Sequence, residues 1–216
     1  MIIKKIHYKD VEDKLNNCKL IQVDNNLGWH GESNGGSLYT DDKYYYKTWN
    51  HDWDRADIVE KAFNDKFYNY NIVSAFEALI YDDKGNRGYI TKNGEGLSMG
   101  DNFHNFTKLL SQTTREQIKI FMFNLIDSTI NCSKYMYYDL TPNNMILYND
   151  KISLVDLESC TDINVIKKYN SEPVSLYSHI NIMYKQHLNQ CLNIRYEKEI
   201  NSMEVLKEIK NLIKKA

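Results

Sequence analysis

Tyr137-Tyr-Asp-Leu-Thr-Pro-Asn-Asn-Met-Ile-Leu147 is followed shortly by Ile152-Ser-Leu-Val-Asp-Leu-Glu158 in the second half of the chain. Within these segments, Asn144 comes five positions after Asp139, and a hydrophobic run then closes on a second acid, Asp156. Carboxylate and amide oxygens are hard ligands that suit Mg²⁺, and few are needed because the ion keeps several waters. The two segments therefore predict a divalent-cation site formed by Asn144 and Asp156, with Asp139 nearby.

Phosphoryl transfer is a reaction that such a site can support. It asks little covalent chemistry of a protein, since the donor and acceptor must be held in line and the developing negative charge neutralised. This requires a carboxylate at the acceptor, oxygen ligands for the metal and a cation near the phosphates. Asp139 supplies the acceptor carboxylate.

The order of these residues resembles the protein-kinase-like superfamily. Its catalytic loop carries His-Arg-Asp or His-Gly-Asp with an Asn five positions after the Asp, and its metal motif is Asp-Phe-Gly or Asp-Phe-Glu. The resemblance spans residues 20–159. It implies an α+β, two-lobed protein-kinase-like fold, with a small β-rich N-lobe (residues 1–91) and a reduced, mainly helical C-lobe (residues 92–216). It also implies ATP as phosphoryl donor and Mg²⁺, or Mn²⁺ in its place, as the metal.

The same resemblance assigns further residues to nucleotide binding. Lys47, in the aromatic run Tyr44 to Trp49, matches the lysine that pairs with the nucleotide phosphates, and it is expected to meet Asp156 in the folded chain. Gly35 and Gly36 match the end of the glycine-rich loop, and Asn93 falls where the family's hinge contacts the adenine. In the family, a glutamate on the helix after the lysine strand holds the phosphate-binding lysine. Glu60 matches that glutamate, and Asp57 is the alternative.

Several departures from the family pattern bear on function. Tyr137 and Tyr138 replace the His-Arg pair, the glycines do not spell the usual loop motif, and Asp156 is followed by Leu-Glu. The chain therefore resembles a small atypical member, similar to lipopolysaccharide core kinases, choline and aminoglycoside kinases or minimal Ser/Thr kinases. The acceptor hydroxyl is left open between a sugar or other small molecule and a protein Ser/Thr. The alternatives are a nucleotide-binding pseudokinase that acts as an interaction module, and transfer of AMP instead of phosphate.

Composition and charge indicate which partners and which cellular location to expect. The formal net charge of −2 gives no reason to expect a nucleic-acid partner. The most apolar stretch, Ile118 to Ile130, contains charged residues and is too short to span a bilayer, so no transmembrane segment is expected. The first residues lack the apolar core of a signal peptide, which predicts a cytoplasmic or otherwise intracellular protein. The four cysteines are widely spaced, which favours reduced thiols over disulfides or zinc.

Local patterns predict strands in the first half of the chain and helices in the second. The predicted elements are a hairpin with arms Ser37 to Tyr39 and Tyr44 to Trp49, a helix from Trp53 to Tyr68, a hairpin from Ile72 to Thr91, a linker from Lys92 to Gly100, a long helix capped by Thr113 or Thr114, short strands Ile146 to Tyr148 and Ile152 to Val155, and two C-terminal helices.

Overall fold

The structure is a computed structural model that describes residues 3–20, 36–49, 56–96, 106–162 and 176–216. In these ranges the strands are β1 (Lys5–His7), β2 (Lys19–Leu20), β3 (Gly36–Thr40), β4 (Tyr44–Trp49), β5 (Phe76–Asp82), β6 (Gly85–Lys92), β7 (Glu95–Gly96), β8 (Tyr135–Tyr137), β9 (Met145–Tyr148), β10 (Lys151–Leu154) and β11 (Cys160–Asp162). The helices are α1 (Tyr8–Asn17), α2 (Ala56–Asn64), α3 (Phe106–Gln112), α4 (Arg115–Cys132), α5 (Leu176–Gln186) and α6 (Met203–Lys215). Strands dominate the first half and helices the second, which confirms the predicted α+β class.

A six-stranded sheet contains most of the first half of the chain, in the order β1-β5-β6-β4-β3-β2. β1 runs parallel to β5, and the other neighbouring strands are antiparallel. Two smaller sheets, β10-β9-β7 and β11-β8, are built mainly from the second half. β4, which carries Lys47, lies inside the large sheet between β3 and β6, so its backbone is held from both sides.

The predicted hairpins are present. β3 and β4 pair around a turn in which Asp42 has a positive φ of 66°, and β5 and β6 pair around a turn at residues 83–84. β9 and β10 pair around Asn149 and Asp150, whose φ values of 49° and 61° are those of the tight turn that best matches strand twist. These three turns form where the local sequence is polar and tolerates positive φ.

Helix α1 was not predicted, and it covers one face of the large sheet. Val11 and Leu15 are buried against a small apolar cluster that includes Tyr46, Ile80 and Ile90. β1 leads directly into this helix and forms the parallel edge of the sheet. The N-terminal segment is therefore an integral part of the sheet's packing.

Helix α4 organises the second half. Thr114 caps it as predicted, with Gln117 completing a reciprocal capping box. The apolar face of α4 packs on α6, where Ile209 and Ile213 are fully buried. Both C-terminal helices are present, and a π-helical turn, His187–Cys191, extends α5.

Helix α2 is described from Ala56 to Asn64, which is shorter than the predicted helix. The division at residues 91/92 stays a prediction, although β6 ends at Lys92 and the next strand, β7, pairs with β9. None of the four cysteines, all within the described ranges, forms a disulfide. Within those ranges, no helix combines the length and apolar character that crossing a bilayer requires.

Candidate functional site

Lys47 and Asp156 meet at the centre of the candidate site, although 109 residues separate them in sequence. The Lys47 ammonium donates a hydrogen bond to Asp156 Oδ1 and forms a second ion pair with Glu158. Burial alone would lower the pKa of Lys47, but the two carboxylates outweigh it and hold that pKa well above its usual range. Burial would likewise raise the pKa of Asp156, and the lysine charge keeps it below its ordinary value. Lys47 and Asp156 therefore face each other as an ammonium and a carboxylate at neutral pH.

Asp156 lies in a locally constrained backbone. Its φ of 57° is in the left-handed region, which Asp enters more readily than most residues. The Ser159 hydroxyl donates to Asp156 Oδ2, and the Tyr137 hydroxyl donates to the Val155 carbonyl at 2.8 Å. The carboxylate is thus held by Ser159 and Lys47, and the backbone beside it is held by Tyr137.

Glu158 is the second partner of Lys47, and only 3% of its surface is exposed. Its Oε2 accepts a hydrogen bond from the Tyr89 hydroxyl at 3.1 Å. Burial, followed by the adjacent charge of Asp156, raises the pKa of Glu158 to about 7. Glu158 is not among the nucleotide-binding residues predicted from the sequence, and its place two residues after Asp156 is the signal that could have identified it.

The expected pairing of Lys47 with Glu60 or Asp57 is wrong for this structure. Glu60 accepts a hydrogen bond from Lys5 in β1, and Asp57 lies 3.6 Å from Lys61 one helical turn along α2. The physical reason is the N-terminal strand, which brings a competing ammonium to α2, while Glu158 already supplies Lys47 with a second carboxylate.

Asp139 and Asn144 are joined directly. The Asn144 amide nitrogen donates to Asp139 Oδ2 at 2.7 Å and to the Asp139 carbonyl at 3.0 Å. Asn144 ends a 3₁₀ turn that begins at Pro142, and its carbonyl accepts from the Val155 backbone at 2.9 Å. This last bond, together with pairing of β8 with β11, places the Asp139 loop beside the Asp156 segment.

His179 contacts the other oxygen of the Asp139 carboxylate. Its Nε2 lies 3.3 Å from Oδ1, and it projects from the first turn of α5. Asp139 is mostly buried, with 11% of its side chain exposed, and His179 is about one-quarter exposed. No local pattern predicts a partner for this histidine, since only the fold brings α5 to the Asp139 loop.

The predicted cation ligands fit a small divalent ion in their chemistry. The Asn144 amide nitrogen is committed to Asp139, so the amide oxygen is the atom that this side chain offers to a cation. Asp156 adds a carboxylate. Among the described residues, no three His, Cys, Asp or Glu side chains cluster in a way that could hold a metal. A site with two protein ligands therefore depends on phosphate oxygens and water for its remaining positions, as Mg²⁺ sites on nucleotides do.

The other predicted nucleotide-binding residues, Gly36 and Asn93, form their strand pairing and hydrogen bonds with residues other than Lys47, Asp139 and Asp156. Gly36 begins β3 opposite Trp49, and Gly35 lies outside the described residues. Asn93 donates through its backbone N–H to the Lys43 carbonyl at 2.9 Å and through its side chain to Asp42. Its backbone N–H and its side-chain amide are thus hydrogen-bonded to the β3–β4 turn, and a contact between Asn93 and adenine stays a prediction.

Comparison with protein-family models and with curated proteins finds no match for this chain.

Proposed function

We propose that this chain is an ATP-dependent phosphotransferase that moves the γ-phosphate of Mg-ATP to a hydroxyl group. The observation that carries the proposal is the contact of Lys47 with Asp156, beside a hydrogen-bonded Asp139–Asn144 pair. Two parts of the chain that are far apart in sequence, β4 and residues 139–156, contribute these four side chains. Together they are a cation for phosphates, two oxygen ligands for a metal and a carboxylate for an acceptor.

Each residue has one task in this proposal. Asp139 orients the acceptor hydroxyl and takes up its proton as the oxygen attacks the γ-phosphorus. Lys47 neutralises charge on the donor phosphates. Asn144 and Asp156 hold the Mg²⁺, which supplies charge neutralisation of the triphosphate when it is bound.

We also propose that the chain has the two-lobed arrangement of the protein-kinase-like superfamily. The support is the order of elements: a lysine-bearing strand, a helix, two further strands, a connection, a long helix, the Asp139 loop and the Asp156 segment. Lys47 comes from the large sheet, and the other three side chains come from the second half, so a nucleotide would lie where these parts meet. The acceptor stays open between a small molecule and a protein Ser/Thr.

The test is ADP formation from Mg-ATP in the presence of a panel of sugars, amino alcohols and generic protein substrates. We expect Asp139→Ala to lower acceptor-dependent turnover at least about 100-fold, because a positioned general base contributes that much or more. Asp150→Asn, which changes an exposed carboxylate at the β9–β10 turn, is the matched control and should retain full turnover. Equal turnover by wild type and Asp139→Ala would remove the proposed role of Asp139.

A nucleotide-binding pseudokinase is the second candidate, and one observation favours it. Lys47 forms ion pairs with two carboxylates at once, as expected of a lysine with a structural role. Nucleotide binding without ADP formation from any acceptor in the panel would support this alternative. Mass spectrometry of a modified acceptor distinguishes phosphate transfer from AMP transfer by the added mass.

A further inference from the structure

We propose that Glu158 is the residue that positions Lys47 for the nucleotide phosphates, in place of a glutamate from helix α2. This inference rests on the nucleotide site proposed above and assigns a task within it to a residue of the metal-binding segment itself. Glu158 acts through Lys47, so it is a positioning residue.

The two carboxylates that contact Lys47 have different tasks in this proposal. Both Asp156 and Glu158 contact its ammonium. Asp156 is the carboxylate that the cation site requires, so its charge is shared with the metal when the site is loaded. Glu158 then remains as the carboxylate that can stay on Lys47 throughout.

Glu158 is itself held in place by β6, the strand next to the one that carries Lys47. Tyr89 lies directly opposite Lys47 in the β4–β6 pairing. Its hydroxyl donates to Glu158 Oε2 at 3.1 Å and accepts from the Leu157 backbone N–H at 3.1 Å. One side chain therefore fixes both the carboxylate and the peptide that carries it. A buried, doubly held carboxylate has little conformational freedom to lose when it orients the lysine.

The two acidic residues of helix α2, Asp57 and Glu60, pair with lysines other than Lys47. Glu60 pairs with Lys5, and Asp57 pairs with Lys61 on the exposed side of the helix, where 63% of each side chain is accessible. Lys5 belongs to β1, which is hydrogen-bonded along β5. Moving Glu60 to Lys47 would therefore leave the Lys5 ammonium without this carboxylate, while Lys47 gains a third acid that its charge does not need.

The experiment compares nucleotide affinity in Glu158→Gln and Glu60→Gln, with ATP and the non-hydrolysable analogue AMP-PNP as probes. Gln keeps the shape of Glu and can still accept from Tyr89, but it lacks the charge. We expect Glu158→Gln to weaken binding of both probes about tenfold to a hundredfold, with or without Mg²⁺, since a charge-assisted bond to Lys47 is lost. Glu60→Gln should stay within twofold of wild type. Tyr89→Phe, which loosens Glu158 without removing it, should weaken binding severalfold.

A double variant separates positioning from a purely structural role. If Glu158 acts through Lys47, Lys47→Met with Glu158→Gln should bind ATP no more weakly than Lys47→Met alone. A loss of thermal stability in Glu158→Gln with unchanged nucleotide affinity would overturn the inference. So would weakening confined to Mg²⁺-containing buffer, which would make Glu158 a metal ligand, or weakening by Glu60→Gln alone.

These outcomes are distinct from failure of the proposed function. If wild type binds ATP but forms no ADP, and Glu158→Gln still weakens binding, phosphoryl transfer fails and the role of Glu158 stands. If wild type turns over ATP and Glu158→Gln does not change nucleotide affinity, phosphoryl transfer stands and the proposed role of Glu158 fails. Absence of nucleotide binding by wild type would overturn both.

Discussion

Asp139 has a different hydrogen-bond partner at each carboxylate oxygen. Asn144 holds Oδ2 from within the same loop, and His179 reaches Oδ1 from helix α5. The Asn144 contact fixes the carboxylate relative to the predicted metal, while the His179 contact fixes it relative to the helical half. The proposed general base needs a fixed position, and both contacts contribute to it.

We predict that His179→Ala lowers kcat about tenfold or more and leaves the KM for ATP within twofold. The acceptor carboxylate loses a constraint in this variant, whereas Lys47 and its carboxylates are untouched. The measurement is steady-state turnover at varied ATP with a saturating acceptor. His7→Ala, which removes a histidine that lies 3.8 Å from Asp83 at the sheet edge, is the control. An increase in the KM for ATP without a change in kcat would contradict this assignment.

At the scale of secondary-structure elements, the spacing between β6 and β4, the strand that carries Lys47, depends on a glycine. Gly88 in β6 has a φ of 151°, and a β-carbon there would lie 2.0 Å from the Lys47 carbonyl oxygen. No real contact is that short, so any side chain at this position forces β4 and β6 apart. The glycine therefore matters for the position of Lys47 as well as for its own backbone conformation.

We predict that Gly88→Ala destabilises the protein by roughly 2–4 kcal/mol, because a backbone clash adds to the cost of a conformation that L-residues avoid. Gly85→Ala is a matched control, since Gly85 has a φ of 132° but its added β-carbon would meet only Asp57 Oδ1 at 3.9 Å. That variant should lose about 1–2 kcal/mol. Urea denaturation measures both values. Equal losses would show that β4 and β6 absorb the clash.

Elements with strong local signals were predictable from sequence, and those that depend on tertiary contacts were not. The β9–β10 hairpin has Asn149-Asp150 between two apolar runs, and α4 has its Thr114 cap, so both could be placed. Helix α1 has only a narrow apolar stripe, with Val11 and Leu15 as its buried residues. Its stability comes from the sheet face that it covers, which a local pattern does not contain.

In the candidate site, too, some contacts were predictable from sequence and others depend on tertiary structure. The spacing of Asp139, Asn144 and Asp156 falls within one short segment, so their proximity follows from local sequence. The expectation that Lys47 meets Asp156 came from the order of motifs along the chain, and the structure places the two in contact. Which glutamate joins Lys47 could not be predicted, because Glu60 and Glu158 compete through the position of Lys5, a residue far upstream.

At the scale of the whole molecule, hydrogen bonds connect the segment between α2 and β5 to the Asp156 segment. The Leu154 backbone N–H donates to the Ile72 carbonyl at 2.8 Å, and the Ala75 N–H donates to the Ser153 hydroxyl at 3.1 Å. The Tyr68 hydroxyl donates to the Leu157 carbonyl in the buried core. Unfolding of the helical half would therefore remove the support of the sheet half, and the site is expected to be lost together with global stability.

His187 connects the helical core to the Asp139 loop and makes this stability depend on pH. It is fully buried, and its Nε2 lies 2.9 Å from the Leu140 carbonyl, next to Asp139. A carbonyl only accepts, so Nε2 carries a proton in this contact. Burial lowers the pKa of His187 to about 4, with the Leu140 carbonyl opposing that shift. Since the unfolded chain takes up this proton near pH 6.5, the unfolded state binds more protons between these values.

We predict that wild type loses roughly 2–3 kcal/mol more unfolding free energy than His187→Gln between pH 7 and pH 4.5. A depressed folded-state pKa contributes stability above the unfolded-state value, and this contribution is lost as pH falls toward the folded-state value. Gln can still donate to the Leu140 carbonyl but does not titrate in this range. Urea denaturation of both proteins at each pH gives the difference, which cancels the titration of all other groups. Parallel losses in the two proteins would mean that His187 is not held neutral by the fold.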